Sequence, residues 1–292
     1  MIAKRVGMWY HKRTMKRTTA LKIIALLLAL LLGLSACGDP HKGMVEVNDG
    51  TGQVWITPEA GVPVSTFSQK DFSVDEDGMP VYKGDAFTVM KGVDVSFYQG
   101  EIDWDAAAAD GIQFAFIRCG YRGYTEGVLK PDEQFEANIA GALKAGLKVG
   151  VYFFSQAVTP AEAAEEAAYA LKLIAPYQVT LPVVFDWERI DGQETARTNN
   201  LDSATLTDCA VAFCQAVKAA GYTPGVYFYR NTGYYGFDLT KLTDYVFWLG
   251  TPGGYPDFYY AHTIWQYSFE GAVDGIAGSA DLDLLFTPVQ KS

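Results

Sequence analysis

An α/β fold built around a barrel-like, largely parallel sheet is predicted for this chain by three observations. From Gly92 onward, strand-like runs that are apolar on both faces alternate with helical segments, the pattern of parallel strands buried under helices. Two stretches, AGLKVGVYFFS (145–155) and AGYTPGVYFYR (220–230), read as copies of one unit: a helix end, a glycine turn and an aromatic strand. No GxGxxG or GxxxxGK loop occurs, which argues against the rival doubly wound sheet and for a modified TIM-like barrel.

The strand candidates in chain order are 112–120, 148–155, 181–188, 224–230, 245–250, 263–267 and 281–286, preceded by a first strand around Asp94. The helices between them carry recognisable ends. Thr159-Pro160-Ala161-Glu162 is a capping box with proline at the first helical position. Phe135, Ile139 and Leu143 recur every fourth residue and line one helix face. Gly146 and Gly221 follow helical segments as stops.

Composition narrows the function. With 292 residues, 49% hydrophobic and 14% aromatic, the chain holds ample material for a core and is neither disordered nor fibrous. Seven of its 23 basic residues fall in residues 1–37, which contain no Asp or Glu, so the remainder carries 16 basic against 34 acidic residues, a net −18. Such a body repels phosphate backbones, and no nucleic-acid partner is expected. Only three histidines occur, and His262 alone lies deep in the globular part. A histidine-rich metal centre is therefore not expected, nor is any cofactor. Beyond Cys37 the cysteines are Cys119, Cys209 and Cys214, an odd count that reads as buried apolar residues rather than a disulfide framework.

The N-terminus reads as an address. A basic leader precedes a 12-residue apolar run, Ile23 to Leu34, which is short of the roughly 20 residues that span a bilayer but has the length of a signal-peptide core. Leu34-Ser35-Ala36-Cys37 follows, and it resembles the lipobox of bacterial lipoproteins, which implies lipidation at Cys37 and an anchored body on the extracellular face of the membrane. The organisation expected is a signal peptide over 1–37, a flexible polar tether over 38–60, a small extension with a possible hairpin over 61–90, and a catalytic barrel over 91–290.

In a barrel the chemistry sits at the C-terminal strand ends. Asp186-Trp187-Glu188 closes the run from Leu181 to Phe185. Residues i and i+2 of a strand point to one side, with Cα atoms roughly 6.5–7 Å apart, so both carboxylates face one pocket. Like charges that close, beside aromatic rings, hold a proton towards neutral pH, as a general acid requires. Asp94 on the first strand and Asp281 opening the last belong beside them, because first and last strands of a barrel are neighbours. Asp283 shares the side of Asp281. A solvated strand end paired with Arg189 or Arg197 is the plainer alternative for Asp186 and Glu188. Tyr98, Tyr121, Tyr152, Trp187, Tyr227, Trp265 and Tyr267 lie at or near strand ends and suit the faces and hydroxyls of sugars, with core packing as the alternative for each. An acidic cluster without metal-binding histidines suits glycoside hydrolysis.

These blocks, GVDVSFYQGEIDW (92–104), FIRCGYRG (116–123), GVYFFSQA (150–157), PVVFDWE (182–188), GVYFY (225–229) and WQYSFEGAVDGIAGSADLDLLF (265–286), together resemble glycoside hydrolase family 25. The resemblance spans about residues 90–288. It implies a (β/α)5β3 barrel and a lysozyme that cuts the β-1,4 bond after N-acetylmuramic acid in peptidoglycan, with net retention. It also implies Glu188 as general acid and base, Asp186 as its partner carboxylate, and Asp94 and Asp281 as further catalytic-pocket residues. Peptidoglycan strands are then the partner, and a monomer is expected. A glycan-binding lipoprotein that does not cut, a transporter's solute-binding protein and a hydrolase of chitin-like polymers are the competing readings.

Overall fold

A computed structural model of the chain describes residues 39–76 and 78–290. The leader and the lipobox Cys37 lie outside the described residues, as does Asp77. Among the described residues no helix is long and apolar enough to cross a membrane. The chain divides into two compact units, one holding residues up to Glu46 with Trp55–Pro58, the other Val47–Val54 with Glu59 onward. In the first, the His41 ring stacks on Trp55 with centroids 4.1 Å apart.

The stretch expected to be a tether is partly ordered. Strands β1 (Val45–Asn48) and β2 (Gln53–Ile56) pair in a two-stranded sheet. The polar residues between them act as turn formers. Asp49 accepts from the Thr51 amide at 2.8 Å and the Thr51 hydroxyl at 2.7 Å, the local bonding that lets Asp initiate a turn. A second, antiparallel pair, β3 (Phe72–Val74) and β4 (Pro80–Tyr82), forms a hairpin in the extension.

The barrel begins earlier than its apolar pattern suggests, with β5 at Phe87–Val95. Its other strands are β6 (Phe114–Arg122), β8 (Lys148–Ser155), β9 (Val183–Trp187), β10 (Pro224–Tyr229), β11 (Val246–Gly250), β12 (Ile264–Gly271) and β13 (Ala280–Pro288). A short strand β7 (Leu129–Pro131) adds to the edge of β6. The sheet order β5-β13-β12-β11-β10-β9-β8-β6 closes through β5–β6. All ladders in the ring are parallel except those of β13, which runs antiparallel to both β12 and β5. Helices α1 (Trp104–Ala109), α2 (Phe135–Lys144), α3 (Pro160–Ile174), α4 (Ser203–Ala219) and α5 (Arg230–Tyr235) follow the first five parallel strands. The last three strands have no such helix, so the expected (β/α)5β3 arrangement is what the chain adopts.

The predicted helix signals operate with one shift. Thr159 accepts from the Glu162 amide at 3.3 Å, but the Glu162 carboxylate reaches back to the Val158 amide, at 2.8 Å, not to that of Thr159. Gly146 and Gly221 stop α2 and α4 at φ +82° and +87°, a region costly for any side chain. Each barrel strand buries two faces. Outward residues meet the helices, as where Phe185 meets Phe213 of α4 with centroids 5.6 Å apart. Inward residues, among them Phe114, Phe116, Val184, Trp248, Ile264 and Leu285, fill the lumen as a second cluster. Cys119, Cys209 and Cys214 are free and buried.

Candidate active site

Strand β9 delivers the Asp186–Glu188 pair as the alternation requires. Val184 and Asp186 face the lumen, Glu188 continues that side just past the strand, and Phe185 points out to α4. Asp94 and Asp281 are direct partners across the β5–β13 ladder. Asp186 is paired with Tyr227, and Tyr227 with Trp248. All four carboxylates line one cleft of about 830 Å³, and Tyr98, Tyr121, Tyr152 and Tyr227 line it with them. The floor is Trp248, stacked on Phe116 at 4.6 Å and met edge-on by Tyr227 at 5.0 Å.

Three of the expected sugar-facing aromatics are elsewhere. Trp187, between Asp186 and Glu188, packs against the outer core. Trp265 and Tyr267 are buried outside the lumen; the Trp265 indole donates to the Thr251 carbonyl at 2.7 Å and its ring meets Phe72. The residue between them, Gln266, takes the inward position. A strand apolar on both faces does not announce which parity points in, and here the aromatic parity points out.

Several cleft residues carried no such signal in the sequence. Arg118 enters from β6, where a register irregularity between Arg118 and Gly120 inserts one extra residue. That bulge lets both Arg118 and Tyr121, three apart, face the cleft. Arg118 is held by Asp132 at 2.8 Å and lies beneath the rings of Phe97, Tyr98 and Tyr121, 5.0 to 5.4 Å from their centroids. The Tyr229 hydroxyl donates to Glu188 Oε2 at 2.6 Å. Tyr227 donates to Gln266 Oε1 at 2.6 Å, which orients the amide so that Gln266 Nε2 donates to Asp94 Oδ2 at 2.7 Å. Behind the site, Gln156 donates to the Glu188 carbonyl at 3.2 Å and accepts from Thr198 at 2.7 Å, tying the strand end to the following loop.

The pKa of each of the four carboxyls is raised from its ordinary range. Burial is the leading cause at every one of them. Asp186 rises well above the ordinary range, with the Glu188 charge adding and Arg118 opposing. Glu188 rises too, held back by the Tyr229 hydrogen bond and by Arg118. Asp281 is pushed up to about 6, Glu188 adding to burial. Asp94 rises through burial and then the charges of Asp283 and Asp281. Burial together with the gathering of anions keeps at least one carboxyl able to donate a proton near neutrality. Paired carboxyls with divergent surroundings, walled by tyrosines, can protonate a leaving oxygen and then activate water, which is the chemistry of glycoside hydrolysis.

The chain is similar to proteins already known. The family described as Glycosyl hydrolases family 25 matches residues 93–276, more than half of the chain. An autolytic lysozyme of Clostridium acetobutylicum is 29% identical over 196 residues, 66% of this chain and 55% of that protein, so the chain spans about half of its length. Lysozyme M1 of Streptomyces globisporus is 27% identical over 272 residues, covering 89% of this chain and 86% of the relative. The crystal structure of a bacterial lysozyme from Streptomyces coelicolor superposes with a TM-score of 0.52 at 25% identity, over 66% of this chain and 90% of that one. With the barrel, the carboxylate cleft and a family match that runs from β5 to the threshold of β13, the chain belongs to glycosyl hydrolases family 25.

Proposed function

We propose that this protein is a muramidase that hydrolyses the β-1,4 bond between N-acetylmuramic acid and N-acetylglucosamine in peptidoglycan. The observation that carries the reading is the shared cleft of Asp94, Asp186, Glu188 and Asp281, with Tyr229 bonded to Glu188. Protonated Glu188 gives its proton to the glycosidic oxygen as the bond from C1 to that oxygen breaks. The acetamido oxygen of the muramic acid attacks C1 from the other face, with Asp186 orienting the acetamido and stabilising its developing charge. Glu188, now a carboxylate, takes a proton from water as the water attacks C1 and the acetamido oxygen leaves. Two inversions give net retention. Tyr152 and Tyr227, both lining the cleft, suit the positioning of the acetamido group.

The acidic body then works as a monomer on the outer face of a bacterial membrane, held by lipid at Cys37. Support for that comes from the apolar run and the Leu34-Ser35-Ala36-Cys37 sequence after it. Metabolic labelling with a radioactive fatty acid checks it: the chain takes up label and Cys37→Ala does not.

For the activity, purified peptidoglycan is incubated with the enzyme and the products are read by reducing-end assay and mass spectrometry. Fragments ending in reducing N-acetylmuramic acid are expected. Glu188→Gln, folded by circular dichroism, loses at least about 100-fold in rate, the ordinary worth of a general acid. Equal activity in that variant rejects the assignment.

A further inference from the structure

Glu188 lies one residue beyond β9, past the two ladders of that strand, which end at Ser155 opposite Trp187 and at Tyr227 opposite Asp186. Gln156 is the residue beyond the matching end of β8. Its side-chain Nε2 donates to the Glu188 carbonyl at 3.2 Å, in the manner of one more rung. Its Oε1 accepts from the Thr198 hydroxyl at 2.7 Å, and Gln156 and Thr198 are both fully buried. That second bond leaves the amide one workable orientation. Turned over, its carbonyl faces the Glu188 carbonyl, and two acceptors do not bond.

Gln156 is anchored in turn. Its backbone N–H donates to Glu166 Oε1 of α3 at 3.3 Å. Glu166 is fully buried and also accepts from the Ser155 hydroxyl at 2.6 Å and from Arg122 Nε at 2.7 Å. A buried carboxylate needs such donors, and they tie α3 to the ends of β6 and β8. On the other side, Asn199 accepts from the Ile190 amide at 2.9 Å and donates to the Ile190 carbonyl at 2.8 Å. These two bonds close the loop that carries Thr198. The Gln156 amide therefore sits between two supports, a helix behind it and the loop that follows Glu188.

We infer that Gln156 is a positioning residue for the general acid: its amide fixes the backbone of Glu188 so that the side chain meets the Tyr229 hydroxyl and faces the cleft. The charged and titratable groups around the Glu188 carboxyl are Asp186 on β9, Tyr227 and Tyr229 on β10, Asp281 on β13 and Arg118 on β6. A substitution at Gln156 alters none of them. A change in how Glu188 titrates then reports where its carboxyl sits.

The inference rests on the muramidase reading in one respect, that Glu188 is the acid of that reaction, and the test separates the two. Wild type, Gln156→Met, Thr198→Val and the double variant are compared as full chains. Gln156→Met removes both amide bonds and leaves the Glu188 carbonyl and the Thr198 hydroxyl unpaired. The double variant takes the hydroxyl away as well, and apolar partners of matching shape restore most of the lost stability. The first measurement is kcat and KM on peptidoglycan. In Gln156→Met and in the double variant kcat falls about tenfold or more, as a displaced catalytic group costs, while KM stays within about twofold of wild type. Thr198→Val, which keeps the Gln156 amide but frees it to turn, loses less in kcat. The second measurement needs no substrate: the Glu188 carboxyl is titrated by carbon NMR. The Tyr229 bond lowers the pKa of Glu188, so loosening that bond moves the titration upward, by roughly half a unit.

A double variant that regains wild-type kcat along with its stability overturns the proposal, because Gln156 then serves the fold alone. So does a Glu188 titration that stays at its wild-type position in Gln156→Met and in the double variant. Should wild type leave peptidoglycan intact while the titration moves upward in the variants, the muramidase reading fails and the hold of Gln156 on Glu188 stands.

Discussion

Tyr229 offers a sharp test of how the cleft tunes its acid. Its hydroxyl donates to Glu188 Oε2 over 2.6 Å, the short distance of an O–H donor facing a carboxylate. Burial, reinforced by the Glu188 charge, pushes the phenol far above its ordinary pKa, so it remains a donor across any working pH. That bond stabilises the ionised form of Glu188 and opposes the burial that raises it. Tyr229→Phe removes one oxygen and little packing. A hydrogen bond to a charged group contributes about 1.5–3 kcal/mol, and about 1.36 kcal/mol moves a pKa by one unit. Tyr229 is half-buried, so water fills part of the vacated space, and the lower end of the range applies: Glu188 moves up by about one unit. The sign follows directly. The acid keeps its proton to higher pH, so the alkaline limb of kcat/KM on peptidoglycan shifts upward by about one pH unit. The position of the limb is the readout, because its height also reports any contact of Tyr229 with sugar. A limb that stays put or moves down refutes the coupling between Tyr229 and Glu188.

Two further outcomes are expected. Arg118→Met leaves the buried Asp132 without its cation and costs about 3 kcal/mol in urea unfolding; stability within about 0.5 kcal/mol of wild type contradicts the buried-pair account. Buried His262 donates from Nδ1 to the Tyr260 carbonyl at 3.1 Å, and burial pulls its pKa down to about 4. Its stabilising contribution is complete above pH 6.5 and fades as pH falls towards 4. Melting temperatures of His262→Leu lack that decline, and an unchanged acid profile excludes His262 as its source.

How much of the site could be read in advance depended on parity and distance along the chain. Asp186 and Glu188 share a side because strand geometry alternates every residue, and no tertiary information is needed for that. The meeting of Asp94 with Asp281 followed from barrel closure, which makes the first and last strands neighbours; the β5–β13 register pairs them directly. The stops at Gly146 and Gly221 and the cap at Thr159 were equally local. The turn around Asp49 was misjudged because its Asp, Gly and Thr residues suit both a hairpin turn and a linker.

Three decisions belonged to the folded molecule. Strands buried on both faces have no polar side to mark the lumen, so Trp265 and Tyr267 could not be told from inward residues until Gln266 was found between them, bonded to Asp94. The bulge at Arg118 depends on the partner strand, since an extra residue exists only relative to a neighbour's register. The protonation of the cleft depends on which groups share it: Asp283 alone is an ordinary acid, and burial pushes it up to about 8 against the lowering hydrogen bonds of Asp94 and Trp248. Local sequence determines what each residue is able to do, because rotamers, turns and strand parity act over a few bonds. Closure of the sheet decides what each residue meets, because dielectric, register and charge act through space.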